Sequence, residues 1–141
     1  MYKGILSINN NEEYVVFPFL PPDIGPQIPQ NNDTYSGLSR DYNTIGTMGL
    51  WTMSWSAFFP VGTMRRSYAD PDSLTDGWQY VSFLERNRPR LLPFRFILID
   101  SGAVTRINSP VTVDDFSWSV QRNGDIGYSL TLREYRFMEG S

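Results

Sequence analysis

Phe94-Arg95-Phe96-Ile97-Leu98-Ile99-Asp100 is the stretch from which the fold is read. It is nearly all apolar and short, as expected of a strand covered on both faces. Asp100-Ser101-Gly102-Ala103 turns the chain. Val111-Thr112-Val113 opens a second strand that continues as Phe116-Ser117-Trp118-Ser119-Val120. Val111 and Val113 share one face, and Phe116, Trp118 and Val120 share one face, but the phase slips at Asp114-Asp115. One extra residue in a strand is a β-bulge, which is expected there. Asn123-Gly124 suits a type I′ hairpin turn, whose two central residues need positive φ. In the return strand Tyr128, Leu130 and Leu132 alternate with Ser129, Thr131 and Arg133. From Phe94 to Met138 the chain therefore reads as three consecutive antiparallel strands, which the rest must pair with or cover.

Working outward, Leu91-Leu92-Pro93 leads into this unit from a helix expected over Asp72–Arg88. Asp72 or Ser73 can cap it, Asp76 suits its first turn, Arg86 and Arg88 suit its last, and Pro89 stops it. Leu74, Trp78, Val81 and Leu84 follow helical spacing, with Tyr80 and Phe83 widening the stripe. Before it, Leu50 to Phe59 alternates. Trp51, Met53, Trp55, Ala57 and Phe59 lie on one face, and a largely hydroxylated set lies on the other. Two indoles on one face suit either a sugar platform or a core or subunit interface, and the second reading is favoured. Near the start, Ile5–Ile8 and Tyr14–Leu20 are further strands, joined by a turn at Asn9-Asn10-Asn11-Glu12. Pro18 marks an edge or a strand end.

Residues 21–46 are the least core-like part, with Pro21, Pro22, Pro26 and Pro29 ahead of Asn31-Asn32-Asp33. They read as an extended loop or arm with a short strand within Tyr42–Ile45. Loops this long are functional or disordered: a lid in an enzyme, or an arm ordered against a neighbour in an assembly. The expected fold class is α+β, mainly antiparallel β: a barrel or sandwich of packed sheets with one flanking helix, as a single domain over 1–141. The expected core includes Trp78, Val81, Phe96, Leu98, Phe116, Trp118, Leu130 and Leu132.

Composition narrows the function. The chain of 141 residues carries a net charge of −3, a poor basis for holding DNA by its phosphates. It has no cysteine and no histidine, which removes thiolate nucleophiles, disulfides and histidine acid–base chemistry. No apolar run approaches a membrane span and the first residues lack a signal-peptide core, so the chain is expected to be made in the cytoplasm, with no membrane partner. No phosphate loop, nucleophile elbow or metal-loop spacing is present, so no cofactor or metal is expected. Asp114 and Asp115 are neighbours on a strand and point to opposite faces, a bulge rather than an acid–base pair. Glu85 and Glu134 suit surface ion pairs with nearby arginines. Apart from Lys3 the cations are all arginine, the residue suited to protein interfaces.

Four stretches together resemble one family. They are Tyr14-Val15-Val16-Phe17-Pro18-Phe19-Leu20-Pro21-Pro22, Gly49-Leu50-Trp51-Thr52-Met53-Ser54-Trp55-Ser56-Ala57-Phe58-Phe59-Pro60, Pro93 to Ile99, and Val113-Asp114-Asp115-Phe116-Ser117-Trp118 continuing to Leu132-Arg133-Glu134-Tyr135-Arg136. Their order and spacing are similar to the N-terminal domain of LysM-bearing tail proteins of contractile-tailed phages and phage-derived particles of Gram-positive bacteria. The resemblance implies a structural virion protein at the junction of tail tube and baseplate hub. It implies a ring of identical copies, six by analogy with contractile tails, with the tail tube protein and the hub protein as partners and DNA only passing through the lumen. The family continues into a LysM module, whereas this sequence stops at Ser141, so no LysM function is carried over. Arg65, Arg66, Arg86, Arg88, Tyr35 and Tyr42 are the candidate inter-subunit contacts. A non-enzymatic structural role is expected. The alternative is a glycan-binding module using Trp51, Trp55 or Trp118.

Overall fold

A computed structural model describes residues 2–9 and 11–137. Asn10 of the expected first turn and Met138 at the end of the organising stretch lie outside the described residues. Among the described residues there are eight strands: β1 (Lys3–Ile8), β2 (Glu13–Val16), β3 (Asp33–Ser36), β4 (Asp41–Thr44), β5 (Thr52–Phe59), β6 (Phe94–Ile99), β7 (Thr105–Val120) and β8 (Ile126–Glu134). One α-helix among them, α1 (Trp78–Asn87), runs into a 3₁₀ turn at Arg88–Arg90. Six strands form one antiparallel sheet in the order β2-β1-β6-β7-β8-β5, and β3 and β4 form a separate two-stranded ribbon.

The C-terminal meander β6-β7-β8 is the middle of the sheet, as expected. Its inward residues come from the pleat: Phe94, Phe96 and Leu98 on β6, Val111 and Val113 on β7, and Leu130 and Leu132 on β8 are all buried. The register slips between Val113 and Asp115, so the bulge is where the sequence placed it. Leu6 pairs with Phe96 and Trp55 with Leu130, which extends the same apolar face to both sides of the meander. The outer face of β5 and β8 is small and hydroxylated. There Ser54 and Thr131 hydroxyls lie 3.1 Å apart, and Ser56 and Ser129 hydroxyls 2.7 Å apart.

The expected α+β class, mainly antiparallel β with one flanking helix, is observed; the sheet does not close into a barrel but forms one curled sheet whose edges never pair. Its edges meet through side chains instead. Phe17, just after edge strand β2, sets its ring edge-on to Trp55 of the opposite edge strand at 5.6 Å, and near Phe59 at 6.4 Å. Helix α1 covers the mouth of the curl. Tyr80 stacks on Phe59 at 4.5 Å, Phe59 stacks on Tyr128 at 3.9 Å, and Phe83 meets Phe94 edge-on.

Three local readings are also corrected. The helix starts at Trp78, not Asp72. The Asp70 carboxylate accepts the Asp72 amide, and the Ser73 hydroxyl donates to the Asp70 carbonyl, so these residues hold a turn and compete with helical pairing. Gly77 precedes the helix because a Cβ there would lie 2.8 Å from Phe59 Cβ and 3.0 Å from two carbonyl oxygens. The β7–β8 turn is not type I′. The Gly124 amide bonds the Gln121 carbonyl, so Arg122 and Asn123 are the central residues, and only Gly124 has positive φ, at 92°. Finally, Trp78 and Trp118 are not core. They meet edge-on at 5.1 Å but stay 40% and 41% exposed. Phe116 is only half-buried, because this end of β7 runs past the surface that α1 covers.

A core built on Phe17 and a rim built on Trp118 have different energetics. Phe17→Ala is expected to cost about 3–5 kcal/mol, the range for large aromatic truncations in a core. Trp118→Ala should cost less than about 2 kcal/mol, in line with partial burial. Urea unfolding of the two variants checks the order, and equal losses would contradict it.

Candidate functional site

Two features carry chemistry beyond the core: a set of arginines held by the chain's own acceptors, and the β3–β4 ribbon. Arg66 makes a two-pronged pair with Asp125, at 2.8 Å and 3.0 Å, and also donates to the Tyr68 hydroxyl. Asp125 is 1% exposed. It sits just after the β7–β8 turn, where its carboxylate also accepts the Val61 amide and the Asn123 side-chain amide. Burial opposes its charge, yet the Arg66 pair and these amides hold its carboxyl below the usual carboxylate range. The Arg65 guanidinium donates twice to the Ser73 carbonyl, at 3.1 Å and 2.7 Å. These two arginines thus bind the β5–α1 connection to its own surroundings.

Arg86 grips Glu13 of β2 through two bonds, at 2.7 Å and 3.1 Å, and Arg90 reaches Glu12 at 2.6 Å. Both tie α1 and its 3₁₀ turn to the β1–β2 hairpin. Arg88 differs from these. Among the described residues its guanidinium donates to the Val113 carbonyl at 3.3 Å and makes no direct ion pair, although its charge reaches the Asp114 carboxylate. Glu134 pairs with Arg136 at 3.2 Å, as its surface position suggested. At the bulge, Asp114 binds Arg133 and the Thr112 hydroxyl, both at 2.6 Å. Burial would raise its carboxyl, but these two partners and the nearby charge of Arg88 keep it below the usual range. Asp114 is thus occupied structurally. Among the described residues no group of three or more acids, cysteines or histidines is placed to hold a metal. No helix among them is long and apolar enough to cross a membrane.

Residues 21–46 are not merely extended. Antiparallel bridges Gln27–Thr52 and Gln30–Met48 tie the base of the segment to β5 and its approach. Arg136 donates to the Met48 and Gly49 carbonyls behind it. Beyond Asn32 the ribbon β3–β4 projects with every residue exposed. Tyr35 and Tyr42 pair across it with rings stacked at 5.2 Å, and Ser36 donates to Asp41. Sequence reasoning found one of these two strands, at nearly the right place. It missed the first, since Asp33-Thr34-Tyr35-Ser36 has no apolar alternation; the signal available was the Gly37-Leu38-Ser39-Arg40 turn between two tyrosines.

The fold is similar to one found in a prophage baseplate. The structure is the cryo-EM structure of the anti-feeding prophage (AFP) baseplate, 6-fold symmetrised. The likeness spans 96% of this chain and 89% of that one, with a TM-score of 0.51 at 12% sequence identity. At that identity the likeness is one of fold. By sequence, neither a family model nor a curated protein matches the chain.

The buried Asp125 gives a pH dependence with a definite sign. Its folded-state pKa is depressed, so its contribution to stability is complete above the ordinary value of 3.8 and is lost as pH falls below that value. Asp125→Asn is expected to flatten the acid limb of stability without abolishing it, because Asp114 shifts the same way. Urea unfolding over an acid pH series measures the slope. An unchanged slope in Asp125→Asn would show that the pair does not couple to folding.

Proposed function

We propose that the chain is a structural subunit of the baseplate region of a phage-like contractile tail. The observation that carries this reading is the near-complete overlap of its fold with a component of a six-fold symmetrised prophage baseplate. The resemblance of its four sequence stretches to the N-terminal domain of LysM-bearing tail proteins points the same way. In the finer form of the proposal, six copies close a ring that joins the tail tube protein to the hub protein. DNA passes through the lumen, and the chain assembles into the particle in the host cytoplasm. Its work is geometric and non-enzymatic: a heterologous contact repeated around an axis closes a ring and sets the copy number. A net negative charge suits a wall that must not retain phosphates.

The chain's surfaces support an assembly role. The ribbon exposes two tyrosines that stack on each other, and Tyr and Arg are enriched where proteins meet. A glycan-binding module is less well supported. Of the three tryptophans it would use, Trp55 is buried and donates to the Tyr128 hydroxyl, and Trp51 is half-buried. Only Trp118 remains as a platform, and it is partly covered edge-on by Trp78.

Assembly is the test. Particles produced without this chain are expected to lack a joined tube and baseplate in negative-stain images. A chain lacking residues 33–44 should stay folded by circular dichroism yet fail to restore them. Complete tails that form without the chain but fail to attach to the cell wall would transfer the function to glycan binding. Quenching of tryptophan fluorescence by cell-wall glycans would then be the confirming signal.

A further inference from the structure

Two surfaces among the described residues carry strongly exposed leucines, Leu91 and Leu38. One is a cleft of about 520 Å³ between the end of α1 and the meander. Its wall includes Pro89, Leu91, Leu92, Val113 and Tyr135, and Arg88 stands at its side. Leu91 is 91% exposed and holds a left-handed backbone, φ 60° and ψ 33°, which a leucine adopts only at a cost. An apolar side chain held outward at a strained position, beside an arginine that makes no direct ion pair among the described residues, has the form of a docking surface for an apolar partner that brings a carboxylate.

The other place is the tip of the β3–β4 ribbon. Leu38 is fully exposed at the turn and Ile45 is exposed at its base. The tip is shaped, not slack: the Gly37 amide bonds the Arg40 carbonyl, and a Cβ at Gly37 would lie 2.7 Å from the Tyr42 ring. The strands carry Asp33 and Asp41 against the single cation Arg40, so the ribbon is net acidic. The tip itself carries Leu38, Arg40 and Asp41, with Asp33 at the base opposite Thr44, so it matches the cleft in polarity and offers Arg88 one carboxylate, that of Asp41.

We infer that the occupant of the cleft is the ribbon tip of a second copy of this chain, with Leu38 seated among Leu91, Leu92 and Tyr135 and Asp41 facing Arg88. The contact is heterologous, since knob and cleft are different surfaces. It therefore propagates from copy to copy and can close a ring. This rests on the structural reading above and names the contact through which copies would join.

The chain has no cysteine, so engineered pairs report cleanly. Particles are assembled from a mixture of a tagged Leu38→Cys chain and an untagged Leu91→Cys chain, then mildly oxidised. The expected product is a covalent dimer of tagged with untagged chain. A second measurement uses charge: Asp41→Arg and Arg88→Asp should each lower incorporation into particles about tenfold, and the two together should restore it. Tagged–tagged dimers would mean a symmetric tip-to-tip contact. A crosslink from Leu38→Cys to a different particle protein would mean a different occupant. Either result, or particles that incorporate both variants with no crosslink, overturns the inference and leaves the baseplate role standing. Particles that complete their tails without the chain would overturn the role itself.

Discussion

The whole arrangement depends on one ring, Phe17. A six-stranded antiparallel sheet has two edges, and in a domain of this size they must be covered, paired or brought together. Here they are brought together through an aromatic cluster with no shared ladder. Phe17 lies between Trp55 and Tyr80, at 5.6 Å and 6.2 Å, so one side chain touches the far edge strand and the helix at once. The polar ends of the cluster are satisfied inside it. The Trp55 indole donates to the Tyr128 hydroxyl at 2.9 Å, and the Tyr80 hydroxyl donates to the Val16 carbonyl and accepts the Leu74 amide. Burial pushes the Tyr80 phenol up to about 12, which keeps it neutral and able to donate over the working pH range. Without those bonds, closing the curl would strand polar atoms and cancel much of the gain from burying the rings.

How far the fold was legible follows from which signals are local. The meander was legible because period-two alternation and a bulge are properties of neighbouring residues: Val111 and Val113 inward, one residue of slip, then Leu130 and Leu132 opposite. The helix start was not legible, because Asp72 and Ser73 are good caps in isolation. The decision was made by Gly77, whose missing side chain lets the helix approach Phe59 and Pro60, and that approach is a tertiary fact. Trp118 was misplaced for a related reason. Its strand pattern points it to the same side as the buried Tyr128 opposite, but which part of that side is covered depends on where a ten-residue helix ends.

The arginines show the same limit at the level of the site. Composition identified them as interface-suited cations, and on chemistry alone Arg66, Arg86 and Arg88 are equivalent. The structure separates them. Arg66 is committed to a buried carboxylate, where losing it would leave Asp125 an unpaired charge. Arg86 clamps the helix to β2 at the surface, a modest contribution in water. Arg88 donates to a carbonyl and makes no direct ion pair among the described residues. The ribbon tyrosines, by contrast, stack on each other.

This division between committed and uncommitted groups bears on how such a chain can be both stable and associative. Its core is closed by aromatic stacking and its loops by internal ion pairs, so little of the fold's stability needs to come from neighbours. Among the apolar side chains that remain exposed are Leu38 and Ile45 of the ribbon and the left-handed Leu91. A monomer pays for such features in solubility, since apolar tips and strand edges invite indiscriminate contact. Two devices reduce that risk. The ribbon interrupts its apolar residues with Asp33, Arg40 and Asp41, and β2 is only four residues long and carries Glu13 bound to Arg86. Short, charged edges pair weakly alone and well when several engage at once, as repeated copies around an axis would make them do.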